Sequence, residues 1–172
     1  MREIDIYTDC SGNPDQNHFG IGILTVSYIG LKGEETRYSE ELKITDISDI
    51  LNAPISQKSY SISTGEMFAI LKGISLLDPN TDCKINIYTD NMRSFNLLNK
   101  QHFVKDSGCA ILKKMVQLFE FYQSTMNIEV MWIKGHAGTW GNEIVDKISY
   151  LERTKDSNSK RAKRMRKIFK NI

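Results

Sequence analysis

The chain has 172 residues, 40% of them hydrophobic and 26% charged, with a formal net charge of +2. That is the composition of a soluble globular protein of one domain with a substantial core. No apolar run is long enough to span a membrane. Met1-Arg2-Glu3 leads straight into a strand with no signal-peptide pattern, so a cytoplasmic or nucleoid-associated monomer without membrane partners is expected. Cys10, Cys83 and Cys109 are odd in number and far apart. They fit neither a zinc site nor a disulfide framework.

The charge is divided unevenly. From Arg153 to Ile172 lie nine of the 23 basic residues and one of the 21 acidic ones, so this tail carries +8 and residues 1–152 carry −6. The expected organisation is therefore a body over 1–152 and a basic extension over 153–172 that adds nucleic-acid contacts or binds a partner.

In chain order, Ile4 to Thr8 alternates as a strand that delivers Asp9 at its end, followed by a turn-rich loop, Cys10-Ser11-Gly12-Asn13-Pro14-Asp15. Phe19 to Tyr28 and Glu35 to Leu42 continue an antiparallel meander through a Gly30–Gly33 turn, the last strand at an edge. Lys43 to Ile62 reads as an irregular connection. Thr64 to Leu77 has the spacing of a buried helix face at Met67, Ile70, Leu71, Ile74 and Leu77. A fourth strand then ends in Asp90, and its last letters, Ile87-Tyr88-Thr89-Asp90, repeat Ile6-Tyr7-Thr8-Asp9 unchanged. Asn91–Leu98 and Gly108–Gln123 read as helices, Ile128–Ile133 as a fifth strand and Asn142–Leu151 as a last helix. The tail has an amphipathic spacing at Ala162, Met165, Phe169 and Ile172.

Strands separated by helices become parallel neighbours. In matching register the repeated words set Asp9 and Asp90 about 4.8 Å apart in backbone terms. Carboxylates that close repel unless a cation lies between them. Glu66 stands in the first turn of the first long helix, where Ser63-Thr64-Gly65-Glu66 also fits a capping box with Ser63 as cap.

Trp132-Ile133-Lys134-Gly135-His136-Ala137-Gly138, continuing to Asn142-Glu143-Ile144-Val145-Asp146, resembles the closing motif of type 1 ribonuclease H. The Gly-His-x-Gly word, the ten residues from His to Asp and the four from Asn to Asp are all kept. The resemblance covers about residues 3–151. It implies an α/β, ribonuclease H-like fold: a five-stranded mixed sheet of order 3-2-1-4-5, strand 2 antiparallel, with helices on both faces. It implies that Asp9, Glu66, Asp90 and Asp146 hold two Mg²⁺ ions, for which Mn²⁺ substitutes, and that His136 moves a proton or helps release product. The implied reaction is hydrolysis of the RNA strand of RNA/DNA hybrids, leaving 5′-phosphate and 3′-hydroxyl ends.

The implied nucleic-acid contacts are Cys10, Ser11, Gly12, Asn13, Ser61 and Asn142. This chain departs from the family in a shorter loop after Asp9, with Cys10 where Gly is usual. Ser61-Ile62-Ser63 stands where Thr-Asn-Asn is common, and Asn99–Gly108 is too short for a basic protrusion. Three alternatives remain open on sequence: a silent nucleic-acid-binding module of this fold, a DNA-directed nuclease of it, and a thiol hydrolase using Cys10 and His136.

Overall fold

The computed structural model of the chain describes residues 2–13, 17–30, 32–78, 82–100, 109–160, 163, 164 and 167. Its sheet has the order β3-β2-β1-β4-β5, built from β1 (Arg2–Asn13), β2 (His18–Ile29), β3 (Lys32–Lys43), β4 (Cys83–Thr89) and β5 (Asn127–Trp132). β2 is antiparallel to both its neighbours, and β1, β4 and β5 are parallel. This is the expected sheet, and the repeated words pair as expected, with Ile6 against Ile87 and Tyr7 against Tyr88.

Alternation sends the two sides of β1 and β4 into different cores. Ile4, Ile6, Ile85 and Ile87 face α2 (Ile62–Ser75) and α4 (Ala110–Thr125), packing with Met67, Ile70, Ile74, Met115 and Phe119. On the opposite face Tyr7 and Tyr28 pack with Leu24 and Val26 of β2 against Ile144 and Val145 of α5 (Trp140–Arg153). The Tyr7 and Tyr88 rings stack there at 4.6 Å. A short helix, α3 (Met92–Leu98), follows β4 with Asn91 as its cap.

Several expectations need correction. The segment from Cys10 to Asn13 is not a loop. β1 runs on to Asn13, paired with β2 through Asn13 and His18, although its ladder with β4 stops at Tyr7 and Tyr88. The hairpin turn is tighter than Gly30–Gly33, because Ile29 already pairs with Lys32 and Gly33 with Tyr28. The connection after Lys43 contains a helix, α1 (Ile44–Leu51), whose Ile44 and Ile47 are fully buried. The cap of α2 is Ser61, which accepts from the Thr64 N–H, and not Ser63. At the other end α5 continues through Arg153, and Thr154 behind it is buried. Ala162, Met165, Phe169 and Ile172 of the tail stripe, and residues 101–108 of the stretch judged too short for a protrusion, lie outside the described residues.

α5 presses unusually close to β2 because two glycines admit it. A Cβ on Gly22 would stand 2.5 Å from the Val145 carbonyl oxygen and 2.9 Å from the Ser149 nitrogen. One on Gly20 would stand 2.4 Å from the Ser149 carbonyl oxygen and 2.5 Å from the Arg153 nitrogen. These are helix backbone atoms, which cannot rotate aside. Gly22→Ala should therefore cost about 1–3 kcal/mol or more by overpacking. Urea unfolding should show a lower midpoint with an unchanged slope.

Candidate active site

Beyond the last β1/β4 pair, Tyr7 with Tyr88, the two chains deliver Asp9 and Asp90 side by side. α2 brings Glu66 to them from the large-core face. One carboxylate oxygen from each of Asp9, Glu66 and Asp90 lies within 4.8 Å of the others. Asp9 is 7% exposed and Glu66 3%. With Ser61 as the cap, Glu66 has no capping role, and its Oε2 is buried without a hydrogen-bond partner.

The electrostatics follow from that crowding. The Asp9 pKa is raised to about 6, chiefly by burial and with the Asp90 and Asp146 charges adding to it, against the bond donated by Ser149. Glu66 is pushed well above the usual carboxylate range, first by burial and then by Asp9 and Asp90, while the Cys10 backbone N–H opposes the shift. These are acids that the protein alone leaves undercompensated.

Asp90 is held from several sides. The Trp132 indole N–H donates to its backbone oxygen at 3.1 Å, and the Asn142 amide donates to Oδ2 at 3.2 Å. Gly135 lies beneath it: a Cβ there would approach Oδ2 to 2.7 Å. Asp146 stands at the rim, half-exposed, with His136 Nδ1 at 3.7 Å from its Oδ2. Burial raises its pKa and the His136 charge lowers it. His136 has a positive φ of 51° and a largely exposed side chain.

The structure thus gathers Asp9, Glu66 and Asp90 tightly and sets Asp146 and His136 beside them. The residues assigned to nucleic-acid contact are differently placed. Cys10 is buried, its Sγ packed where a Gly65 Cβ would be. Burial raises its thiol pKa well above the ordinary value, which disfavours the thiolate that the thiol-hydrolase alternative requires. Gly12 is wedged against Phe19 and Ile62. Ser11 is half-buried and accepts a bond from Arg153. Ser61 caps α2, and Asn142, 2% exposed, faces Asp90 and not an open surface. The Asn13 side chain lies outside the described residues.

Two residues at the site escaped the sequence reading. Ser149, fully buried, donates from Oγ to Asp9 Oδ2, with the Asp146 carbonyl 3.0 Å away as its alternative acceptor. Arg153 donates to Ser11 at 2.8 Å. Their signal was the i+3 and i+7 spacing from Asp146 along one helix face. A hard divalent cation fits the donor set, which is all carboxylate oxygen, closely spaced, and includes the unpartnered Glu66 Oε2.

Clustered carboxylates past the ends of parallel strands, on a sheet of this order, define a nuclease-type hydrolase of the ribonuclease H-like fold. A profile of the RNase H family matches residues 1–152, and the chain belongs to that family. It is 26% identical over 163 residues to the Ribonuclease HI of Haemophilus ducreyi, covering 88% of this chain and 90% of that one. To the Ribonuclease H of Desulforamulus reducens it is 27% identical over 164 residues, with 87% and 86% covered. Among solved structures it resembles LC9-RNase H1, described as a type 1 RNase H with the type 2 active-site motif. The TM-score is 0.63 at 13% identity, over 96% of this chain and 85% of that one, a likeness of fold.

The raised Asp9 pKa predicts how stability varies with pH when metal is absent. A carboxyl whose pKa rises on folding, here from 3.8 to about 6, binds more protons folded than unfolded. Its contribution therefore falls as pH rises through that window and stays low above it. In EDTA, Asp9→Asn should remove this fall and be more stable at pH 7 by on the order of 2 kcal/mol. Thermal melts of both proteins from pH 4 to 8 check this, and equal curves would contradict it.

Proposed function

We propose that the chain is an endoribonuclease that hydrolyses the RNA strand of RNA/DNA hybrids and leaves 5′-phosphate and 3′-hydroxyl ends. The observation that carries this is the convergence of Asp9, Glu66 and Asp90, with Glu66 Oε2 unpartnered, in a chain of the RNase H family. Two bound Mg²⁺ ions, or Mn²⁺ in their place, would supply the Lewis acidity for phosphodiester hydrolysis. The chain's own residues hold and orient. Asp9, fixed by Ser149, would be one of the carboxylates that hold the ions. Glu66 and Asp90 would hold them with it, and Asn142 and Gly135 restrict how Asp90 can turn. Asp146 closes the rim. His136, exposed and next to it, exchanges a proton with solvent and with the departing product.

Hybrid recognition falls to the end of β1. RNA is distinguished by its 2′-hydroxyls across a wide, shallow minor groove, and we assign those contacts to the backbone of Cys10 to Gly12 and to Asn13. The basic extension adds phosphate contacts. Lys155 is tied down by Glu41 at 2.9 Å and Glu152 at 2.7 Å. The gripping charge therefore starts at Lys160, and Lys160, Lys163, Arg164 and Lys167 are exposed.

Cleavage assays on matched RNA/DNA hybrid, duplex RNA and duplex DNA test the function. Only the hybrid's RNA strand should be cut, and only with Mg²⁺ or Mn²⁺; activity surviving excess EDTA, or equal cutting of duplex DNA, would refute the assignment. Asp90→Asn should abolish cleavage, whereas His136→Ala should slow turnover roughly 10²-fold or less without abolishing it.

Removing residues 158–172 spares Lys155 and should raise KM while kcat is unchanged. It should also flatten the salt dependence by roughly 0.7–0.9 log units per lost contact. Equal salt slopes for full-length and truncated protein would leave the extension without this role.

A further inference from the structure

The end of α5 and the end of β1 meet in a contact that the carboxylate cluster does not use. Arg153 Nε donates to Ser11 Oγ at 2.8 Å, and the guanidinium lies over the Tyr150 ring with 5.3 Å to the centroid. Ser11 pairs with Gly20 across the sheet, and Gly20 is the position where a Cβ would stand 2.5 Å from the Arg153 nitrogen. The contact thus exists because β2 leaves room for the helix there.

Charge accounting separates Arg153 from its neighbours. Lys155, two residues on, sits between Glu41 and Glu152, and His18 contacts Glu41 as well. The nearby carboxylates are therefore engaged elsewhere. Arg153 is in ion-pair contact with no carboxylate among the described residues. The partly exposed guanidinium is held by Ser11 and the Tyr150 ring rather than by an anion.

The geometry points to a phosphate-binding site formed by Arg153 and Ser11, which takes a backbone phosphodiester of the nucleic-acid strand lying over β1. With Nε committed to Ser11, the two terminal nitrogens remain as a fork, the arrangement that binds phosphate oxygens in a bidentate way. Ser11 accepts from Arg153, so its own hydroxyl proton remains to be donated to the same anion. Ser11 lies two residues beyond Asp9 on the same face of the strand, roughly 7 Å along it. The site supplies positive charge where residues 1–152 carry −6. This inference rests on the nuclease reading above for its ligand, but its test is separable.

Binding of a fluorescent RNA/DNA hybrid, and of single-stranded RNA, is measured by anisotropy in EDTA from about 50 to 200 mM salt for wild type, Arg153→Gln, Arg153→Lys and Ser11→Ala. Arg153→Gln should weaken binding several-fold at low salt and flatten the slope of log K against log salt by roughly 0.7–0.9, one phosphate contact. Arg153→Lys should keep the slope and lose part of the affinity, because the charge stays and the fork is gone. Ser11→Ala, which removes the tether and no charge, should also keep the slope. In Mg²⁺ the kcat of Arg153→Gln at saturating hybrid should match wild type, with KM raised. Equal slopes for wild type and Arg153→Gln overturn the proposal, as does a Tm loss shared by Arg153→Gln and Ser11→Ala with affinity unchanged, which would make the contact a structural tether only. Wild type that binds hybrid without cutting it sinks the proposed function, while a flattened Arg153→Gln slope would still establish the phosphate contact. Wild type that binds no nucleic acid sinks both.

Discussion

The in-register pairing of Ile6-Tyr7 on β1 with Ile87-Tyr88 on β4, the first halves of two identical words that end in Asp9 and Asp90, is the constraint on which the site depends. It sets two carboxylates next to each other past the end of the ladder. At about 4.8 Å and an effective dielectric near 20 their repulsion is roughly 3–4 kcal/mol. What resists it is apolar burial. Ile4, Ile6, Ile85 and Ile87 all face the large core, each contributing about 1.5–3 kcal/mol when fully buried. A slip by one residue would turn those side chains to the other face, a loss larger than the repulsion relieved. The core therefore fixes the register, and the register imposes the carboxylate crowding.

The second constraint is α5. Asn142, Asp146, Ser149 and Arg153 recur at spacings of four, three and four, so they lie along one face of the helix. In that order they meet Asp90, His136, Asp9 and Ser11. One helix face thus touches the acids, the histidine and the end of β1. The two glycines of β2 permit this by letting helix backbone come where a Cβ would stand. Small residues on the strand and functional residues on the helix are one device.

The main lines were legible in the sequence for reasons that can be named. Alternation and the repeated word place β1 and β4 in register. Three-four spacing finds α2 and α4, and the Gly-His-x-Gly word with its downstream Asn and Asp ties the last helix to the cluster. The misreadings have causes too. Gly12, Asn13 and Pro14 signal a turn, yet the pairing of Ser11 with Gly20 and Gly12 with Phe19 keeps β1 extended. α1 was hidden because only Ile44 and Ile47 of its eight residues are buried, too few to show a period. Ser61 and Ser63 are equally good caps by type, and the choice falls to the residue whose backbone is still extended as the helix begins. For Ser149 and Arg153 the sequence offers only their spacing from Asp146 along one helix face, which does not give their partners. Their roles are contacts between distant segments, made possible by glycines whose sequence signal is only a weakened strand.

Glu66 shows how far the metal-free fold alone can account for this arrangement. A fully buried carboxyl with one oxygen unpartnered and two acids beside it is unfavourable in either protonation state. Ionised, it repels Asp9 and Asp90; protonated, it still leaves a buried polar atom unsatisfied. A Gln or Leu there would serve the core better if stability were the only demand. Arg153, at the other end of the device, makes no ion pair with a carboxylate among the described residues. The proposed cations would offset these acids, and the proposed phosphate would take the Arg153 guanidinium. Any ligand that binds the folded chain and not the unfolded one adds to stability by mass action. If the proposed metal and phosphate sites filled together, the crowding left in the free protein would be relieved, and each ligand would favour binding of the other.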